Sequence, residues 1–351
     1  IITIPANIAL QIAEHLQAFI TNTESQNISN PITDNVEAYN LYLKGIFESR
    51  TATINGNTRC INYMKQAIAL DSTFALAIAG LAAGHIGRAA IFSAELSALD
   101  AFAMAKPLID KALAIDPELP EAHLRNASYL LYNNWDFSGA ELEYKKAIVD
   151  DDPDALAFYV DLLNFTNRHQ EALAISERLN QTNPYYTGSR MILSLYYMGK
   201  YETATEFAES RLETFNTYIL LDSYGFLMLN TGNYDKAIEL FQKAIELNSV
   251  RTPRMLGWMG AAYARMGNKE KSIELINELK SKREQSVAGS PAFFIAVIYS
   301  ALEDKALALQ WLQDSYENHE MEIPWLKSEP QLYGLHDEPV FQSLLEKVGF
   351  P

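Results

Sequence analysis

Apolar residues recur along most of the chain at helical spacing, in pairs of segments separated by short polar or glycine-containing breaks. The clearest copy is Gly232-Asn-Tyr-Asp-Lys-Ala237-Ile-Glu-Leu-Phe241-Gln-Lys-Ala244-Ile-Glu-Leu-Asn-Ser249. Ala237, Phe241 and Ala244 stand at steps of four and three, so a helix places them on one face. Upstream, Leu221, Tyr224, Gly225 and Met228 form the matching face of a preceding helix, where Gly225 admits a close neighbour. Ser272 with Leu256, Met259, Gly260 and Tyr263 repeats the arrangement, as does Ala308 with Ile295, Ala296 and Tyr299. Followed along the chain, the small residue near the start of each second helix is Cys60, Ala105, Ala140, Ala172, Ala204, Ala237, Ser272 and Ala308. The intervals are 45, 35, 32, 32, 33, 35 and 36 residues, a period near 34 with one insertion expected at Ile86 to Ala98. Turn-forming breaks fall where loops are needed, at Asn55-Gly56 and around Gly199, Gly232 and Gly267.

This spacing is that of the tetratricopeptide repeat, and it predicts an all-α fold, a right-handed TPR superhelix (α-solenoid) of about eight helix pairs over residues 36–318. Division of the 351 residues into two or three globular domains is therefore the wrong unit. The ends depart from the period. Residues 1–5 read as the end of a strand, and Ala6 to Phe19 as an amphipathic helix with Ile8, Ile12, Leu16 and Phe19 on one side. Thr21 to Asn35 reads as a linker. Residues 319–351 are expected to form a C-terminal cap, with Asp337 capping a short helix, Pro339 in its first turn, and Phe341, Leu344, Leu345 and Val348 as its apolar stripe.

Three further segments carry a more specific resemblance. Val36-Glu-Ala-Tyr-Asn-Leu-Tyr-Leu-Lys-Gly45, Asn134-Trp135-Asp136-Phe137-Ser138-Gly139-Ala140-Glu141, and the ending from Leu326 to Pro351 resemble the C-terminal sensor part of bacterial signalling proteins. In that family an effector, either a DNA-binding transcriptional regulator domain or a class III adenylate cyclase, precedes a TolB-like domain followed by tetratricopeptide repeats. Residues 1–35 then resemble the end of the TolB-like domain plus a linker. The resemblance implies signal transduction through an effector lying upstream; the chain opens at Ile1, so a preceding segment is expected. It also implies a periplasmic or otherwise extracytoplasmic position on an anchored protein, with a cytoplasmic one as the alternative.

Charge and chemistry narrow the function. Lys and Arg total 28 against 44 Asp and Glu, a net charge of −16, which opposes binding of nucleic acid through this segment. The longest apolar runs are too short for membrane insertion. Cys60 stands in a slot filled elsewhere by Ala or Ser, which suits packing rather than reactivity. Of His15, His85, His123, His169, His319 and His336, no two stand at i, i+3 or i+4. The run Asp150 to Asp154 lacks the glycine and terminal glutamate of a calcium loop and reads as a turn between repeats. No cofactor, metal or catalytic residue is expected, and the chain is expected not to be an enzyme.

What remains is the concave face lined by the first helices. Its expected groove positions are Arg125, Tyr129, Tyr132, Asn133, Asp161, Asn164, Tyr196, Tyr197, Phe226 and Asn230. Aromatic rings supply contact area and amides can pair with backbone, so these positions suit a peptide or protein partner. The competing reading is that the tyrosines pack against neighbouring helices. A clamp for a chaperone tail would need Lys and Asn where this chain has Ala157, Ser189, Asp222, Leu193 and Phe226. The alternative function is a scaffold that self-associates as a homo-oligomer without a groove ligand.

Overall fold

The computed structural model describes residues 33–351 except 52, 90–95, 184 and 285–288. The strand and amphipathic helix expected in residues 1–19 lie outside the described residues, as does most of the linker. Every regular element among the described residues is helical. Sixteen helices follow as eight hairpins, each made of neighbours packed side by side. The pairs are α1 (Val36–Ser49) with α2 (Ile54–Leu70), α3 (Ala75–Ala89) with α4 (Ala98–Ile115), α5 (Pro120–Tyr132) with α6 (Phe137–Ala147), and α7 (Pro153–Phe165) with α8 (His169–Thr182). Then come α9 (Ser189–Tyr197) with α10 (Tyr201–Thr214), α11 (Tyr218–Asn230) with α12 (Tyr234–Asn248), α13 (Pro253–Arg265) with α14 (Lys269–Glu284), and α15 (Pro291–Ala301) with α16 (Lys305–Glu317). Two 3-10 turns, Ile323–Trp325 and Pro330–Leu335, lead to α17 (Pro339–Val348).

Small residues at fixed spacing let the paired helices approach. Ala105, Ala140, Ala172, Ala204, Ala237, Ser272 and Ala308 are wholly buried and Cys60 nearly so. From α6 to α16 that residue is the fourth of its helix, whereas α2 and α4 begin about a turn earlier. Opposite Phe241, Gly225 is required: a Cβ there would stand 2.5 Å from the Phe241 ring. Burial raises the Cys60 thiol to about 11, which leaves it protonated and inert.

The turn between the two helices of a pair also repeats. Trp135, Asn167, Gly199, Gly232, Gly267 and Glu303 all hold left-handed backbone, 32 to 36 residues apart. Glycine adopts that conformation without cost, and Trp135 (φ 55°) does not. The bulky ring is retained because it is used. It stacks 4.4 Å from His319 and lies 5.0 Å from Tyr316, while its neighbour Phe137 meets Phe350 at 4.9 Å. The solenoid thus curls until its C-terminus touches the third hairpin. Asp136 caps α6 by accepting from Gly139 N–H at 2.9 Å. The acidic run behaves as a turn: Asp152 caps α7 through Ala155 N–H, and Asp151 pairs with Arg178.

One detail at the C-terminus differs from expectation. Glu338, not Asp337, occupies the cap position of α17, and its side chain makes no capping bond. Its carboxylate pairs instead with Lys305 at 2.7 Å, and Pro339 pre-sets the first turn. Phe341, Leu344 and Val348 are buried as the stripe predicts.

Candidate functional site

The concave face is divided. Its downstream half is filled by the chain itself, since residues 320–335 run back across α7, α9, α11, α13 and α15. Trp325, 5% exposed, sits among Phe165, Phe226 and Trp258 with ring centroids 6.0, 5.8 and 5.6 Å away. Its indole N–H donates to Tyr197 Oη at 3.0 Å, and that hydroxyl donates to the Ser328 carbonyl at 3.0 Å. Gln331 Nε2 donates to Asn230 Oδ1 at 2.7 Å, while Ser300 Oγ donates to the Gln331 carbonyl at 2.6 Å. Trp258 Nε1 donates to Glu329 at 3.3 Å. The segment is therefore held by aromatic faces and by polar groups that satisfy its backbone, as buried backbone requires.

The upstream half holds a half-enclosed cavity of about 310 Å³. Every helix that lines it is the first of its pair: α3, α5, α7, α9, α11 and α13. Met321, Glu322 and Trp325 of the returning segment close the far side. Tyr132, Phe158, Phe165, Leu193, Ile219 and Met255 make apolar walls, and six charges line it: Arg125, Asp161, Arg190, Asp222, Arg254 and Glu322. Asp161 and Arg190 form a closed fork, with Nε to Oδ1 at 3.2 Å and Nη2 to Oδ2 at 2.9 Å. Arg254 lies over the rings of Trp258 and Trp325, 5.4 and 5.0 Å from their centroids. It stands 3.8 Å from Asp222 and 3.5 Å from Glu322, so each ion pair is at or beyond hydrogen-bond length.

That looseness leaves buried valences open. Asp222 Oδ1, Glu322 Oε2 and Arg254 Nε have no hydrogen-bond partner. Burial pushes the Asp222 carboxyl up to about 6 against the pull of Arg254 and Arg190. Glu322 is raised by burial too, with Arg254 opposing. Arg125 makes no hydrogen bond or ion pair among the described residues.

The ten expected groove positions fall into three groups. Arg125, Tyr132 and Asp161 line the cavity. Tyr197, Phe226 and Asn230 hold the chain's own C-terminal segment, and Tyr196 packs edge-on to Phe226 at 5.3 Å behind them. Tyr129, Asn133 and Asn164 serve neighbouring structure. Tyr129 meets Phe102 at 5.9 Å and Lys106, Asn133 bonds Asn134, and buried Asn164 bonds Ser194 and His169. Sequence reasoning missed Arg190, Arg254 and Glu322 and met Asp222 only as a mismatch to another motif. A signal existed for three of them. Arg190 and Asp222 lie 14 and 15 residues ahead of the next small residue, Arg254 lies 18 ahead, and Asp161 lies 11 ahead, steps that stay on one helical face. Glu322 carried none, because it lies outside the repeats.

Among the described residues no group of three or more His, Cys, Asp or Glu side chains could hold a metal ion. No described helix is long and apolar enough to cross a membrane.

Comparison with known proteins agrees with the fold. A tetratricopeptide-repeat model, TPR_2, matches residues 219–249. No curated protein sequence matches the chain. The crystal structure of the APC/C hetero-tetramer Cut9–Hcn1 superposes with a TM-score of 0.56 at 15% identity, over 98% of this chain and 59% of that one. The chain therefore spans about three fifths of that relative's length. The human IFIT1 dimer with m7Gppp-AAAA gives a TM-score of 0.56 at 12% identity, over 89% of this chain and 81% of that one. Pseudomonas aeruginosa pilF is 22% identical over 61% of this chain and 92% of its own, with a TM-score of 0.42. The chain thus has the fold of an α-helical repeat solenoid of the tetratricopeptide type.

Proposed function

We propose that this chain is the non-catalytic interaction and regulatory module of a bacterial signalling protein, and that it takes a peptide or protein segment in the upstream half of its concave face. One observation carries the reading. The downstream half already binds a polypeptide, residues 320–335, through Tyr197, Phe226, Trp258 and Asn230. Beside it the first helices present further rings, Tyr132, Phe158 and Phe165, together with charged groups around a half-enclosed cavity. A ligand seated there touches α5 on one side and Glu322 with Trp325 on the other. It can therefore shift the closure between Trp135 and His319 and alter the curvature sensed by an upstream effector.

The test is a peptide array probed with the whole chain and with Tyr132→Ala. Peptides retained by the chain and lost by the variant support the groove. Peptides bound equally by both place the site elsewhere.

A second reading, self-association as a scaffold, is favoured by α1. Val36, Tyr39, Leu43 and Phe47 are all exposed on that helix, Phe47 at 72%. Sedimentation across concentration checks it: an assembly dissolved by Phe47→Asp supports it, and a concentration-independent monomer removes it.

A further inference from the structure

We infer that the cavity between α5 and Glu322 takes a small zwitterion, an α-amino acid or dipeptide with free ammonium and carboxylate groups and apolar side chains. The inference rests on the groove reading above and names what the groove selects. The six ionic side chains sum to zero, but they do not satisfy one another. Asp161 and Arg190 close a bidentate pair and drop out of the account.

At one end remain Asp222 and Glu322, 7% and 5% exposed, each with an oxygen that accepts nothing. Arg254 stands between them too far away to complete either carboxylate. Buried carboxylate oxygens are costly until a donor reaches them, and both residues belong to the cavity lining. An ammonium group supplies up to three N–H donors and a compensating charge.

At the other end Arg125 lines the same cavity with its guanidinium unpaired among the described residues. It asks for an acceptor, best a carboxylate gripped by two N–H groups. A dicarboxylate would answer Arg125 and meet repulsion at Asp222 and Glu322. A diamine would do the reverse. The interior of a polypeptide is neutral and compensates neither end. A molecule with one free ammonium and one free carboxylate answers both.

Size and walls narrow the class further. Small-molecule sites run from about 300 to 1,000 Å³, so a cavity of about 310 Å³ lies at the lower limit and excludes a long peptide as its full occupant. Tyr132, Phe165, Leu193 and Trp325 give the walls an aromatic and aliphatic character suited to apolar side chains.

The experiment is calorimetric titration of the whole chain with free Leu, Phe and Tyr and their nine dipeptides, each dipeptide also in N-acetyl and C-amide forms. An end-blocked nonapeptide mixture of the same residues is the control. Free forms are expected to bind, with each block weakening binding at least tenfold. Asp222→Asn is expected to erase discrimination against the N-acetyl form, and Arg125→Gln against the C-amide, with circular dichroism unchanged in both. Blocked forms that bind as well as free ones overturn the inference and leave the groove reading standing. Binding of the nonapeptides alone does the same. No binding by any probe sinks both.

Discussion

Around Arg125, Asp161, Arg190, Asp222 and Arg254 the concave face encloses an open, charged cavity, whereas around Tyr197, Phe226, Trp258 and Asn230 it is filled by residues 320–335 and largely aromatic. The same helical positions serve both halves. Asp161 and Phe226 each lie 11 residues ahead of the small residue of their second helix, yet one lines a cavity and the other stacks on Trp325. The difference follows from what the returning segment can satisfy. Residues 320–335 bring an indole, backbone carbonyls and an amide, which suit rings and hydroxyls, while Glu322 and Trp325 meet Arg254 only loosely and no group of the segment bonds Arg125 or Arg190 among the described residues. Where the face is purely aromatic the chain covers it; where charges are set among the rings a cavity remains.

That contrast can be broken by mutation. Trp325→Ala should cost the most, about 3 to 5 kcal/mol, because it empties the space between Phe165, Phe226 and Trp258. Urea denaturation measures it, and a loss below about 1 kcal/mol would mean that the segment is not part of the core. Next, Gly225→Ala should cost about 1 to 3 kcal/mol by pushing Phe241 aside, while leaving the cavity unaltered.

The buried carboxylates predict a pH dependence confined to the returning segment and its cavity. Burial holds Glu320 and Glu329 up at about 7 and Asp222 at about 6. Below those values the folded chain keeps protons that the unfolded chain loses, so this contribution grows as pH falls from about 7 towards about 4.5. Chemical denaturation at a series of pH values should show a rise on the order of 1 to 2 kcal/mol, reduced but not abolished by Glu329→Gln. A stability that falls throughout that window would show these carboxylates ionised in place.

Smaller effects sharpen the division. Gln331→Ala removes one bond to Asn230 and one to Arg265 and should cost about 1 kcal/mol. Arg125→Gln, on the open side, should change stability by less than about 0.5 kcal/mol while altering ligand binding. A thermal melt of the two variants side by side tests the distinction.

The repeat was legible because its signal is local. Ala237, Phe241 and Ala244 lie within two helical turns, and the left-handed turn recurs beside Gly199, Gly232 and Gly267. The candidate site was half legible. Arg125, Tyr132 and Asp161 could be placed on the concave face by register, but their separation from Tyr197, Phe226 and Asn230 could not. Residues 319–335 have no helical period that would show where they go, and their bonds to Asn230 and Tyr197 span more than 100 residues.

Helical pairing, its period and the small residues that permit it were written into the sequence, because each depends on contacts between segments a few turns apart. The closure of Trp135 on His319, the filling of the groove by residues 320–335 and the cavity beside Arg254 were decided in the tertiary structure. They depend on curvature accumulated over several repeats. A small rotation at each helix pair sums to the position of the C-terminus, and no local pattern encodes that sum.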